Sequence, residues 1–208
     1  MTELVGALAV AIVAWFAAGT IWNVRKGSAL MRWMHDGLPV LGERTTVRWL
    51  GSTAAEMTMR EAKAPFGAVT VVIFLEARDL PWMWALGRAR GRRDTLIVRG
   101  TLRREPRLEF EALDPTTWSG REALPRVPSG WPIHQPAATG GLVVHGPDAA
   151  AIERSNALLA FAGGAGVVRL SVRGTEPHFQ IHVVLPDGRR GAREFFETIR
   201  TLGERALT

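Results

Sequence analysis

Five histidines, His35, His134, His145, His178 and His182, are the side chains best suited to acid–base or metal chemistry. His145 closes a short apolar run just before Gly146-Pro147. A neutral imidazole at such a strand end could accept a proton or a metal. His178 and His182 share one face of a predicted strand, but four residues of extended chain span roughly 13 Å, too far for one ion. Glu109 and Glu111 share a strand face in the same way. Together with Gln180 and His182, their counterparts in a related segment, they are expected on the wetted side of a sheet.

The remaining signatures of chemistry do not assemble. The cluster Gly163-Gly164-Ala165-Gly166 follows a predicted helix and precedes a strand, the reverse of the strand–loop–helix order that a phosphate loop needs. It reads as a helix C-cap. Neither a Gly-x-Ser-x-Gly elbow nor a His-Glu-x-x-His pair occurs. The chain has no cysteine, which excludes disulfides, zinc–thiolate sites, thiol catalysis and a lipoprotein anchor. No catalytic, cofactor-binding or metal-ligating residue is assigned, and no cofactor is implied.

The most unusual stretch is basic and rich in tryptophan. Between positions 88 and 107 lie eight arginines against Asp94 and Glu105, a local excess equal to the whole formal charge of +6. Asp79 and Pro81 suit the start of a helix over Leu80 to Arg90, with Trp82, Met83 and Leu86 on one side and arginines at the C-terminal end, where the dipole favours cations. One expectation is an ordinary packing helix with a solvated tail. The sharper one is an interfacial helix, with Trp82 and Trp84 among lipid headgroups and Arg88, Arg90, Arg92 and Arg93 binding anionic lipid or a protein partner. The charge would also suit phosphates of nucleic acid, but Phe110 and Phe179 fall on an apolar, buried strand face rather than an exposed stacking platform, so nucleic acid is not expected as a partner.

The elements that must hold these residues begin with a membrane anchor. Leu4 to Val24 are 21 residues without a charge, about 30 Å of helix, the thickness of a bilayer core. Trp22 lies near one end, as an interfacial indole should. The opening Met1-Thr2-Glu3 lacks the basic side chain of a cleaved signal peptide. Arg25, Lys26 and Arg32 follow the span, so the positive-inside rule predicts the N-terminus outside and the rest in the cytoplasm of a single-pass cell-membrane protein. Ala7, Ala11, Ala14 and Ala18 recur at helical spacing and form a small-residue stripe on which another transmembrane helix could pack.

Beyond the anchor (1–26), the pattern predicts an α+β domain. Residues 27–113 hold a juxtamembrane helix over Ser28 to His35, a β-hairpin (Thr45 to Leu50 with Ala54 to Arg60) and a first β-α-β-β unit. Residues 114–140 form a linker with five prolines, pinned by Trp118 and Trp131. Residues 141–208 form a second β-α-β-β-α unit. The two units carry an internal repeat: Val98-Arg99-Gly100-Thr101 recurs as Val172-Arg173-Gly174-Thr175, and each copy is followed by Glu-Pro and an alternating strand. Antiparallel hairpins are expected in both pseudo-repeats. The leading functional expectation is a membrane-tethered interaction or assembly module, an accessory subunit of a membrane complex, in contact with membrane lipid and a protein partner; a second copy of the chain is also admissible. The alternatives are a membrane-anchored enzyme or small-ligand binder with a site between the repeats near His145, and a peripheral domain that binds anionic lipid.

Overall fold

A computed structural model describes residues 1–134, 141–163, 166–185 and 191–208. The end of the linker, 135–140, and two residues of the glycine cluster, Gly164 and Ala165, lie outside them. A single helix, α1 (Thr2–His35), opens the chain. It is long and apolar enough to cross a membrane. The expected break between anchor and juxtamembrane helix is absent: no proline interrupts the run, and Gly27 is kept helical because it is packed against the domain. The helix stops at His35, ahead of Gly37 and Pro39.

The next strands are β1 (Thr46–Trp49), β2 (Ala54–Met59) and β3 (Phe66–Phe74). A short helix, α2 (Pro81–Ala89), leads to β4 (Thr95–Leu102) and β5 (Phe110–Leu113). Then come α3 (Trp118–Ala123) and the two-residue β6 (Ile133–His134). The final third holds β7 (Val143–His145), α4 (Ala149–Phe161), β8 (Val167–Val172), β9 (Phe179–Val184) and α5 (Ala192–Arg205). Asp148 caps α4, its carboxylate accepting from the Ala151 N–H at 2.7 Å.

Among the described residues, nine strands join one antiparallel sheet in the order β1-β2-β3-β4-β9-β8-β5-β7-β6. The fold is therefore α+β, as predicted. Strand pairing departs from expectation at one point. β8 and β9 form a hairpin, but β4 and β5 do not: β9 and β8 lie between them. The two copies of Val-Arg-Gly-Thr also stand differently. The first lies inside β4, whereas the second starts at the last residue of β8 and enters the turn.

One face of the sheet is covered by helices and carries the apolar core, including Phe66, Phe110 and Phe179 with Phe195 and Phe196 of α5. Full burial of each such side chain stabilises by roughly 1.5–3 kcal/mol. The end of α1 joins this layer through Met34, which is fully buried, and Trp33, whose ring lies 5.6 Å from that of Phe195. The opposite face is mixed: Val72, Phe74, Ile97 and Val184 lie on it beside the polar residues. Its cross-strand register aligns Thr70, Arg99, Gln180, Ser171, Glu111 and His145 in one row from β3 to β7. Part of that row is roofed by α3 and the proline-rich segment, where the Arg173 guanidinium stacks 4.4 Å from the Trp131 ring. Trp131 thus meets Arg173, whereas Trp118 is exposed beneath Arg92, and neither ring joins the apolar core.

Candidate functional site

Two buried polar clusters and one exposed apolar helix face stand out. The first cluster joins α1 to the domain. Gly19, Asn23, Gly27 and Met34 form the buried stripe of α1. At Gly19 the helix meets the backbone of Arg78 so closely that a Cβ would collide with that carbonyl. The Asn23 amide donates to the Glu76 carbonyl at 3.1 Å, and the Trp15 indole donates to the Arg78 carbonyl at 2.9 Å. Arg78 grips Asp94 with two parallel bonds of 3.0 and 2.8 Å. Lys26 of α1 also binds Asp94. Glu76 accepts from the Trp84 indole at 2.5 Å and pairs with Arg88 at 3.4 Å.

These contacts satisfy charges that could not otherwise be buried. Burial pushes the Asp94 carboxyl up, but hydrogen bonds from Arg78, Lys26 and the Glu76 N–H outweigh it and hold the group below the ordinary carboxylate value. For Arg78, burial works against the charge, and the Asp94 hydrogen bond and charge more than restore it. The cluster is a fixed joint: it locks the direction of α1 to that of the sheet.

The second cluster lies on the face of the sheet opposite the core. Glu111, expected in water, is 1% exposed. It accepts from Arg169 at 2.5 Å, Ser171 at 2.8 Å and Arg173 at 2.9 Å. His145 sits opposite it in register and is buried, and its Nε2 has no hydrogen-bond partner among the described residues. Burial lowers the His145 pKa; the nearby Glu111 charge opposes this and Arg173 adds to it. His182, also expected in water, is buried as well. Its Nδ1 meets the Ser119 hydroxyl and its Nε2 meets the Gln180 amide at 2.5 Å. The reason for both corrections is the roof formed by α3 and the segment after it. Strand alternation groups residues by face, but it cannot reveal that a face will be covered.

The Ser119–His182 pair resembles a nucleophile with its base, yet its electrostatics oppose that role. Burial, with the charges of Arg169 and Arg99, drives the His182 pKa down to about 3. A general base works best near the operating pH, and the third group here is a neutral amide rather than a carboxylate. The adjoining cavity measures only about 40 Å³. Glu111 is likewise saturated by two guanidinium groups and a hydroxyl. The sequence held one signal for this cluster: Arg169, Ser171 and Arg173 alternate along an otherwise apolar strand.

The tryptophan-rich helix is placed differently from an ordinary packing helix. In α2, Trp84 turns inward to Glu76 and Arg88 pairs beside it. Trp82, Met83 and Leu86 are exposed, at 56%, 47% and 50%. The arginines divide: Arg92 stacks on Trp118, Arg93 donates to the Arg88 and Arg92 carbonyls at the helix end, and Arg90 is exposed. Ala7, Ala11, Ala14 and Ala18 are all exposed on α1. Ala18 precedes Gly19 by one residue, so the stripe points about 100° away from the domain-facing side. A groove of about 300 Å³ runs between Trp15, Ala18 and Trp22 of α1 and Trp84. No family model matches this sequence, and no curated protein matches it either.

Proposed function

We propose that the chain is a membrane-tethered interaction and assembly module, an accessory subunit of a larger membrane complex, with its domain on the cytoplasmic side. The division of α1 into two faces supports this most directly. One face, from Gly19 to Met34, is committed to the chain's own domain through close backbone approach and hydrogen bonds. The small-residue stripe is uncommitted and exposed along the preceding turns. Because the charged joint fixes α1 to the sheet, a helix packed on the stripe would be held at a set angle to the domain. Arg25, Lys26 and Arg32 follow the span and favour the cytoplasmic placement.

Purification of the native chain in mild detergent tests the proposal. A stoichiometric membrane partner or a second copy should co-migrate, and Ala11→Leu with Ala14→Leu should release it by blocking close helix approach. A lone monomer in every mild detergent would contradict the assembly role.

A further inference from the structure

We infer that α2 is an interfacial helix that seats the domain in the headgroup layer of the same membrane, so that the chain is held to lipid at two places. This rests on the reading that α1 crosses the bilayer. The argument starts from length. Only residues 2–18 precede the contact between Gly19 and Arg78. Those 17 residues are roughly 26 Å of helix, short of the roughly 30 Å hydrocarbon core. The uncharged span continues to Val24, so the domain overlaps its last six residues, about 9 Å. The segment from Arg78 into α2 therefore lies at lipid depth whenever α1 spans.

The composition of α2 fits that depth. In a water-soluble domain the apolar side of a surface helix faces the core. Here Trp82, Met83 and Leu86 face away from the protein, while Trp84 and Arg88 turn toward Glu76. An apolar face buried about 5–10 Å, with arginines at its margin, is how an amphipathic helix lies in the headgroup boundary. Arg90 and the neighbouring Arg92 and Arg93 stand at the C-terminal end, where anionic headgroups complement them. The Trp15–Trp84 ring pair, 6.4 Å apart, ties this helix to the span.

The chain's lack of cysteine allows single-site nitroxide labelling of the full-length protein. Leu86→Cys, Val13→Cys and Glu105→Cys would each be reconstituted in vesicles of phosphatidylcholine with phosphatidylglycerol; Val13 is exposed on α1 away from the small-residue stripe. Power-saturation EPR then compares relaxation by oxygen with relaxation by a water-soluble nickel chelate. The label at position 86 should favour oxygen several-fold over the label at position 105, approaching that at position 13. A label at 86 as accessible to nickel as that at 105, with 13 in lipid, overturns the inference and leaves the anchor intact. A label at 86 shielded from both reagents also overturns it, because a protein partner then covers the face. A label at 13 in water overturns the anchor itself, and the inference with it.

Discussion

Asp94 and Glu111 each hold several cationic or hydrogen-bonding partners from a buried position. Removing the Glu111 carboxylate strands the buried Arg169 guanidinium, so Glu111→Ala should lower unfolding free energy by about 3–5 kcal/mol in denaturant titrations of the detergent-solubilised protein. Asp94→Ala should also destabilise, but by less, because Arg78 keeps a second carboxylate partner in Glu76 at 3.3 Å. Lys26→Ala should cost less, because its side chain is 41% exposed and solvent screens the pair. Acid should act in two stages. His182 stays neutral in the folded chain down to about pH 3, whereas the unfolded chain takes up a proton near 6.5. Stability should therefore fall as pH drops below about 6.5, approaching about 1.4 kcal/mol per pH unit from this group. His145, also lowered, adds in the same direction. Asp94, whose folded pKa is depressed, contributes stability at neutral pH that is lost only as pH falls through and below the ordinary carboxylate range. Thermal scans from pH 7 to 4 should show the first stage, and His182→Gln should make it shallower; an unchanged slope would contradict the assignment. These residues were legible by type but not by setting. Charged and polar strand positions normally face water, and the burial of Glu111, His145 and His182 depends on α3 and a proline-rich segment with no periodicity of its own, whereas Asp94 is covered by α1 and Arg78.

At the scale of elements, local pattern located almost everything and pairing did not follow from it. The expected order of strands and helices in both halves is the order observed, and the first hairpin and α2 fall close to their expected bounds. The β4–β5 hairpin failed because alternation shows that a strand exists, not which neighbour it takes; β4 pairs with β9, some eighty residues away. α1 and α2 were legible as helices, but the contact between α1 and the segment leading into α2 was not. That contact depends on Gly19, which reads in sequence as one more small residue of an apolar span. Gly19→Leu should push α1 away from the Arg78 loop and speed amide exchange in residues 76–80, measured by mass spectrometry in detergent. Gly6→Leu, where an added Cβ meets nothing within 4 Å, should leave it unchanged. Equal exchange in both variants would show that close approach at Gly19 does not hold the joint.

For the whole molecule, the uncharged opening run and the basic residues after it were the plainest features of the sequence, and α1 supplies a helix fit to cross a membrane. What the sequence could not convey is that this helix continues without a break into the core of the domain. α1 and the domain are one body, so under the proposed placement the side of the membrane on which the domain lies determines what the stripe, α2 and the Glu111 row can meet. A cysteine placed at Glu105, at the end of the sheet remote from α2, tests that placement directly. In intact cells, a membrane-impermeant maleimide should leave Glu105→Cys unlabelled and should label it fully after lysis. Labelling before lysis would put the domain outside and contradict the account.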